Sequence, residues 1–419
     1  MEQEAASPVG FNQRSVLGLN AANFFQAEMV GVVLPVLNSY LKDAGWRYDS
    51  IGVATALAGF GTLLFQTPAG ILTDRLSQRR ALFAIAALIT GACFTLIPLA
   101  RSSAVSIYSL LFTAGAAQSF FAPLLAALAL ALVGYQKLNR TMGTNQGWNH
   151  AGNIAAALGA MALVSTRGVS SIFYAVGLSS ALATFAVFVI RKSDLDERRA
   201  TGLGVDQPDA HPAPWSVLLT DRTILFLFLS IFAFHLANAP ILPAVALYVK
   251  QLHGSDNLMT ATVLTAQIVM VPVALLAGRG CDAWGRKTTM AIAFWVLPLR
   301  IFSYALVHTP QAVVWLQSLD GIGAGIYGVA VVALAADLTR GKGHFNSLMG
   351  LFATALAVSG VAGPLISGFA IQHLGFQKTF YAFAALAALG AIVFTIFVPE
   401  TKPAAQETLP PRLQVGVTG

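Results

Sequence analysis

Charge is the property this sequence has least of: Asp, Glu, Lys and Arg make up 10% of its 419 residues, against about 25% in ordinary soluble domains. With 56% apolar residues, the chain carries more hydrophobic surface than a soluble fold can bury, which excludes a soluble enzyme or binding module. Cysteine is nearly absent too. Cys93 falls inside an apolar run and Cys281 in a predicted loop, so the two are poor partners for a disulfide framework. No H-x-x-x-H pair or Cys/His cluster occurs, and no metal or other cofactor is expected. Neither H-E-x-x-H nor G-x-S-x-G is present, so nothing marks a membrane enzyme. Residues 1–10 are acidic and polar and lack the basic stretch and apolar core of a cleaved leader.

What the chain does have is a series of apolar stretches of roughly 20 residues, each long enough to cross a bilayer core of about 30 Å as a helix. Twelve are read here as spans 1–12, at 15–41, 50–72, 81–100, 104–133, 141–164, 170–190, 223–249, 258–277, 288–307, 310–336, 345–371 and 377–398. A charged, proline-rich stretch at 192–221 separates spans 6 and 7 and reads as a flexible linker. The chain thus divides into an N-terminal segment (1–13), a first bundle (14–191), the linker (192–221), a second bundle (222–403) and a polar tail (404–419). With the N-terminus inside, 18 of the 25 Lys and Arg fall on the inner segments and six on the outer ones, while Arg300 lies within a span. Basic residues accumulate on the cytoplasmic side, so both termini are expected in the cytoplasm. The net charge of +7 is explained by this asymmetry and calls for no nucleic acid.

The stretch Gly70-Ile-Leu-Thr-Asp74-Arg75-Leu-Ser-Gln-Arg79-Arg80 recurs 208 residues later as Gly278-Arg-Gly-Cys-Asp282-Ala-Trp-Gly-Arg286-Lys287. Leu34-Pro35 and Tyr40 match Leu242-Pro243 and Tyr248 at the same offset. After span 4 the offset becomes 207, pairing Asn139, Met142 and Gly143 with Asn346, Met349 and Gly350. Such register means a duplicated six-span unit. The repeated motif closely resembles the loop between the second and third helices of the major facilitator superfamily. That resemblance implies an all-α polytopic membrane protein of two six-helix bundles, related by a pseudo-two-fold axis along the membrane normal. It also implies a secondary transporter working by alternating access, with spans 1, 4, 7 and 10 along the path and spans 3, 6, 9 and 12 toward lipid. In the family this loop latches the halves, a role carried here to Asp74, Arg75, Asp282 and Arg286, with Gly70 and Gly278 permitting close helix approach.

The remaining candidates are polar groups inside spans, where they are costly and mark function. On span 5, Asn145, Asn149, Asn153, Gln146 and His150 fall within about 140° of arc at 100° per residue, so they face a cavity, water or another helix. On span 1, Asn20, Asn23 and Gln26 share a face and Glu28 lies about 80° from Asn20 on the other side, as a candidate proton-coupling acid. Asp320 on span 10 is a second such acid and shares a face with Gln317 and Tyr327. His235 and Asn238 on span 7 precede Pro240 and Pro243, which are expected to break the helix. Arg300 on span 9 is expected to snorkel outward. Gly321-Ile-Gly323-Ala-Gly325 has no strand before it and reads as helix packing, not a nucleotide loop.

Two departures limit the family analogy. Span 4 has Ser109-Leu-Leu-Phe-Thr-Ala-Gly115 where many members carry an arginine, and span 5 has Gly152-Asn153 where drug antiporters often show Gly-Pro. The ending Pro399-Glu400-Thr401-Lys402 is similar to one found in sugar porters. The expected function is proton-coupled efflux of a small organic molecule from a bacterial plasma membrane, by a monomer. The alternatives are import or uncoupled movement of a sugar, organic acid or siderophore-like metabolite, and, less favoured, a receptor or enzyme.

Overall fold

The computed structural model describes residues 12–31, 37, 40, 41, 43–46, 48–202, 213–254 and 256–402. The N-terminal segment to residue 11, Leu34 and Pro35 of the first repeat, residues 203–212 of the linker and the tail 404–419 lie outside the described residues.

The apolar runs fold as two six-helix bundles, and the residues that interrupt them set the helix ends. Span 1 begins as Gln13–Gly31, span 2 is Tyr48–Arg75 and span 3 is Arg79–Ala100. Span 4 comprises Ala104–Gln118 and the first part of Phe121–Arg167, which turns into span 5 at Gly134, φ 63°. Span 6 is Ser170–Val189. In the second half Phe345–Phe397 likewise holds spans 11 and 12, with the corner at Gly375, φ 78°. Positive φ is accessible to glycine at no steric cost, which is why both corners use it. Span 7 breaks at the expected proline: Arg222–Asn238 ends before Pro240 and the chain resumes as Ile241–Gln251. Spans 8, 9 and 10 are Asp256–Ala283, Arg286–Tyr304 and Pro310–Thr339.

Among the described residues, eight helical stretches are long and apolar enough to cross a membrane, fewer than the twelve spans read from the sequence. One of them, 104–167, contains two spans. Spans 1, 7 and 9 fall short because of the amides of span 1, the break in span 7, and Arg286, Lys287 and Arg300 in span 9.

Leu88, Leu99, Phe185, Leu299 and Ile396, on spans 3, 6, 9 and 12, are each exposed by half or more. A hydrocarbon surrounding requires that exterior. Between the helices the packing is aromatic: Phe83 and Phe173 are buried in the first bundle, and Phe294 stacks on Phe394 at 4.6 Å in the second.

The described ends of the linker are fastened to both bundles. Asp194 accepts hydrogen bonds from Asn12 and Ser15, and Glu197 pairs with the buried Arg79. The Gly202 carbonyl accepts from the Tyr135 hydroxyl at 3.0 Å and from the Gly341 amide at 2.7 Å.

Candidate functional site

The signature motifs sit on the last helical turns of spans 2 and 8, so Gly70, Asp74, Gly278, Cys281 and Asp282 are helical and not in a loop. There they join the two bundles. A Cβ on Gly70 would collide with the Asn346 carbonyl, and one on Gly278 would lie 2.5 Å from the Asn139 carbonyl oxygen. Gly350 packs its backbone against Gln66 and Gly70, and Gly143 packs against Ala274 and Gly278. Under the repeat, 70 maps to 278, 346 to 139 and 350 to 143. The two sets of contacts are thus one contact written twice.

The aspartates complete it. Asp74 accepts the Asn346 and Ser347 amide N–H groups at 3.2 and 2.7 Å, the Asn346 side-chain amide at 2.8 Å and the Ser347 hydroxyl at 2.6 Å. These amides open the helix of span 11, where free N–H groups and the positive end of the helix dipole favour an anion. Asp282 accepts from the Asn139 side chain at 2.7 Å and pairs with Arg140 at 3.4 Å. Arg75 and Arg286 take no part across the halves. Arg75 is exposed. Arg286 donates to Asp337 at 2.8 Å and to the Cys281 carbonyl, all within the second bundle. Glu400 accepts the Arg286 and Lys287 amides at 2.8 and 3.1 Å, those of Thr401 and Lys402 at 3.0 and 2.9 Å, and so caps span 9 from beyond span 12. Burial pushes its carboxyl up, and the four amides outweigh that and hold it below the usual glutamate range.

Beside these contacts lies a cavity of about 490 Å³ between the bundles. Met142 and Met349, repeat mates, line it next to the packed glycines. Of the sequence candidates, Asn23, Gln26, Gln146, Asn149 and Tyr327 line it. Asn149 donates to Gln26 at 3.0 Å, and Asn153 reaches Asn149 at 3.4 Å. The other candidates point elsewhere. His150 bonds Gln267 of span 8 at 3.0 Å, across the halves. Asn145 and Asn20 are buried, and the side-chain oxygen of each has no partner among the described residues. Glu28 faces span 6, where Ser179 donates to it at 3.2 Å. Gln66 and Gln118 also line the cavity; isolated amides in otherwise apolar runs were the available signal for them.

In the second bundle the outward path expected for Arg300 is not taken: it is 3% exposed, pairs with Asp320 and donates to Asn238 at 2.6 Å. Burial among three spans leaves it no route to the surface, and the carboxylate supplies the counter-charge. Gln317, three residues before Asp320 on span 10, is buried with neither amide atom partnered among the described residues, and His235 packs edge-on against Tyr327 at 4.8 Å.

Comparison with known proteins agrees with this architecture. The family model described as Major Facilitator Superfamily matches residues 16–297 and 227–415. An uncharacterized MFS-type transporter of Mycobacterium tuberculosis (strain H37Rv) is 35% identical over 394 residues, covering 93% of this chain and 94% of its own length. The multi-drug resistance efflux pump PmrA of Streptococcus pneumoniae (strain R6) is 22% identical over 378 residues, covering 86% and 90%. Among solved structures, that of the proton:xylose symporter XylE matches with a TM-score of 0.72 over 93% of this chain and 95% of its own, at 14% identity, a likeness of fold alone. The family match and a relative that is similar over nearly its full length show that the chain belongs to the Major Facilitator Superfamily as a membrane transporter.

Proposed function

We propose that this transporter exports a small organic molecule in exchange for protons, as a monomer in a bacterial plasma membrane with both termini in the cytoplasm. The cavity is the substrate site, and the bundles rock about it. The observation that carries this reading is the pair of repeat-related latches at one end of the cavity. Two equivalent contacts made by short polar groups and close glycines are suited to parting together. The likeness to an efflux pump such as PmrA supports the outward direction.

No carboxylate is among the described residues lining the cavity, so proton coupling is assigned to Glu28 and Asp320, acids within the apolar runs of spans 1 and 10. The same observation favours one second reading, an uncoupled facilitator. Flux in proteoliposomes with and without an imposed pH gradient separates the two. Coupled export predicts uphill substrate movement that Glu28→Gln converts to downhill movement alone. Asp320→Asn by itself strands the buried Arg300, at a cost of about 3–5 kcal/mol, so that pair is tested as Asp320→Asn with Arg300→Gln. Wild-type flux that ignores the gradient establishes the facilitator.

A further inference from the structure

The two walls of the cavity differ in chemistry. The wall from the first bundle carries Asn23, Gln26, Gln66, Gln118, Gln146 and Asn149; the wall from the second carries Val331, Val332, Met349, Phe352 and Leu356, with Tyr327 at its edge. The internal repeat shows how far the halves have diverged. The mates of Asn23, Gln26, Gln66, Gln146 and Asn149 are Ile231, Phe234, Ala274, Ala353 and Leu356. Each of these five amides is matched by an apolar residue in the second half.

We propose that the cavity selects an uncharged amphipathic molecule, bearing hydroxyl or amide groups on the side facing the first bundle and an apolar body against the second. This rests on the reading of the cavity as the transport site. Among the described lining residues no carboxylate, ammonium, guanidinium or imidazole is present. Glu28 is turned to span 6 and Asp320 is paired with Arg300, so neither offers a counter-ion inside. An ion entering here gives up hydration without gaining an opposite charge, which is costly. A neutral ligand meets a different site. Each Asn or Gln presents one acceptor oxygen and two donor hydrogens, and a buried amide left unpaired by the wrong ligand is itself a penalty. Gln66 has its oxygen buried and unpartnered among the described residues, an acceptor awaiting a donor. Gln146 reaches over the cavity and lies against Gly328 of span 10 at about 3.2 Å from where a Cβ would be, so its amide borders both walls. The cavity volume is in the range of sites for drug-sized ligands, roughly 300–1,000 Å³.

The test is calorimetric titration of the full chain in lipid nanodiscs with probes of similar size and different charge. These are chloramphenicol and 4-nitrophenyl glucoside (uncharged), tetraphenylphosphonium and ethidium (cations) and fluorescein (anion). Saturable binding of at least one uncharged probe is expected, weakened about tenfold by Gln66→Ala, with no measurable binding of the ions. Gln146→Glu is expected to create measurable binding of tetraphenylphosphonium where the wild type shows none. Binding of an ion more tightly than every uncharged probe overturns the proposal, as does the absence of binding by all the uncharged probes. Flux separates the failures. Cation transport by proteoliposomes leaves the transporter reading intact and removes this one. Uncharged-probe binding that Gln66→Ala weakens, without flux of any kind, does the reverse.

Discussion

Asp74 is held by four donors from two consecutive residues of span 11, and no other side chain among the described residues makes so dense a contact between the bundles. Removing it strands the Asn346 and Ser347 backbone N–H groups, at about 1–3 kcal/mol each. Asp74→Ala is therefore expected to open the signature-loop end. Spin labels at Gln78→Cys and Arg279→Cys, exposed positions on opposite bundles, should move apart in the variant, and an unchanged distance removes Asp74 from the latch. The native Cys93 and Cys281 are buried and do not compete for the label. A different carboxylate gives a pH prediction. Glu400 is held below the usual glutamate range by the amides it caps, so its contribution to stability is fully present above about pH 4.5, the ordinary value, and is lost as pH falls through the depressed one. Glu400→Gln should lower the melting temperature at pH 7 and match wild type once the native carboxyl is protonated. A difference between the two that does not shrink on acidification contradicts the capping role.

Helices 2 with 11 and 5 with 8 meet through glycine because their backbones touch. Gly278→Ala puts a methyl 2.5 Å from the Asn139 carbonyl oxygen, a distance real contacts do not tolerate, so span 8 must move off span 5. The same label pair should lengthen, and the double variant with Asp74→Ala should exceed either single change. At this scale the sequence was informative where one interruption sets one boundary. The span 7 break at Pro240 and the register of the repeat were both legible. Helical periodicity also separated Asn23 and Gln26 from Glu28 on span 1. It did not reveal that the first direction meets the cavity and the second meets Ser179 of span 6, because a helix face has no name until a neighbour covers it. The partner of Arg300 was illegible for the same reason: Asn238 and Asp320 come from spans 7 and 10, brought together only by packing. The donors to the aspartates lay in view as the repeat pair Asn139 and Asn346, but offset alone does not say that each crosses to the other half.

At the scale of the whole molecule the repeat is preserved where the halves close, and among the cavity residues Met142 and Met349 keep it while the five amides of the first wall do not. Glycines and aspartates are kept because each closure needs the same short contacts. The cavity walls are free to differ, and amides on one side with apolar residues on the other are what selectivity for an amphipathic solute requires. The described linker ends, tied by Glu197 to span 3 and by Gly202 to the 10–11 connection, join the halves on the same side as the latches. Rocking of two bundles about the cavity makes the distances at its two ends change in opposite senses. The direct measurement is double electron–electron resonance on two labelled pairs, Gln78→Cys with Arg279→Cys at the latch end and Val105→Cys with Gln311→Cys at the other, each with and without Asp74→Ala. The account predicts that the variant lengthens the first distance and shortens the second. Distances that lengthen together, or a first distance that changes while the second stays fixed, contradict it.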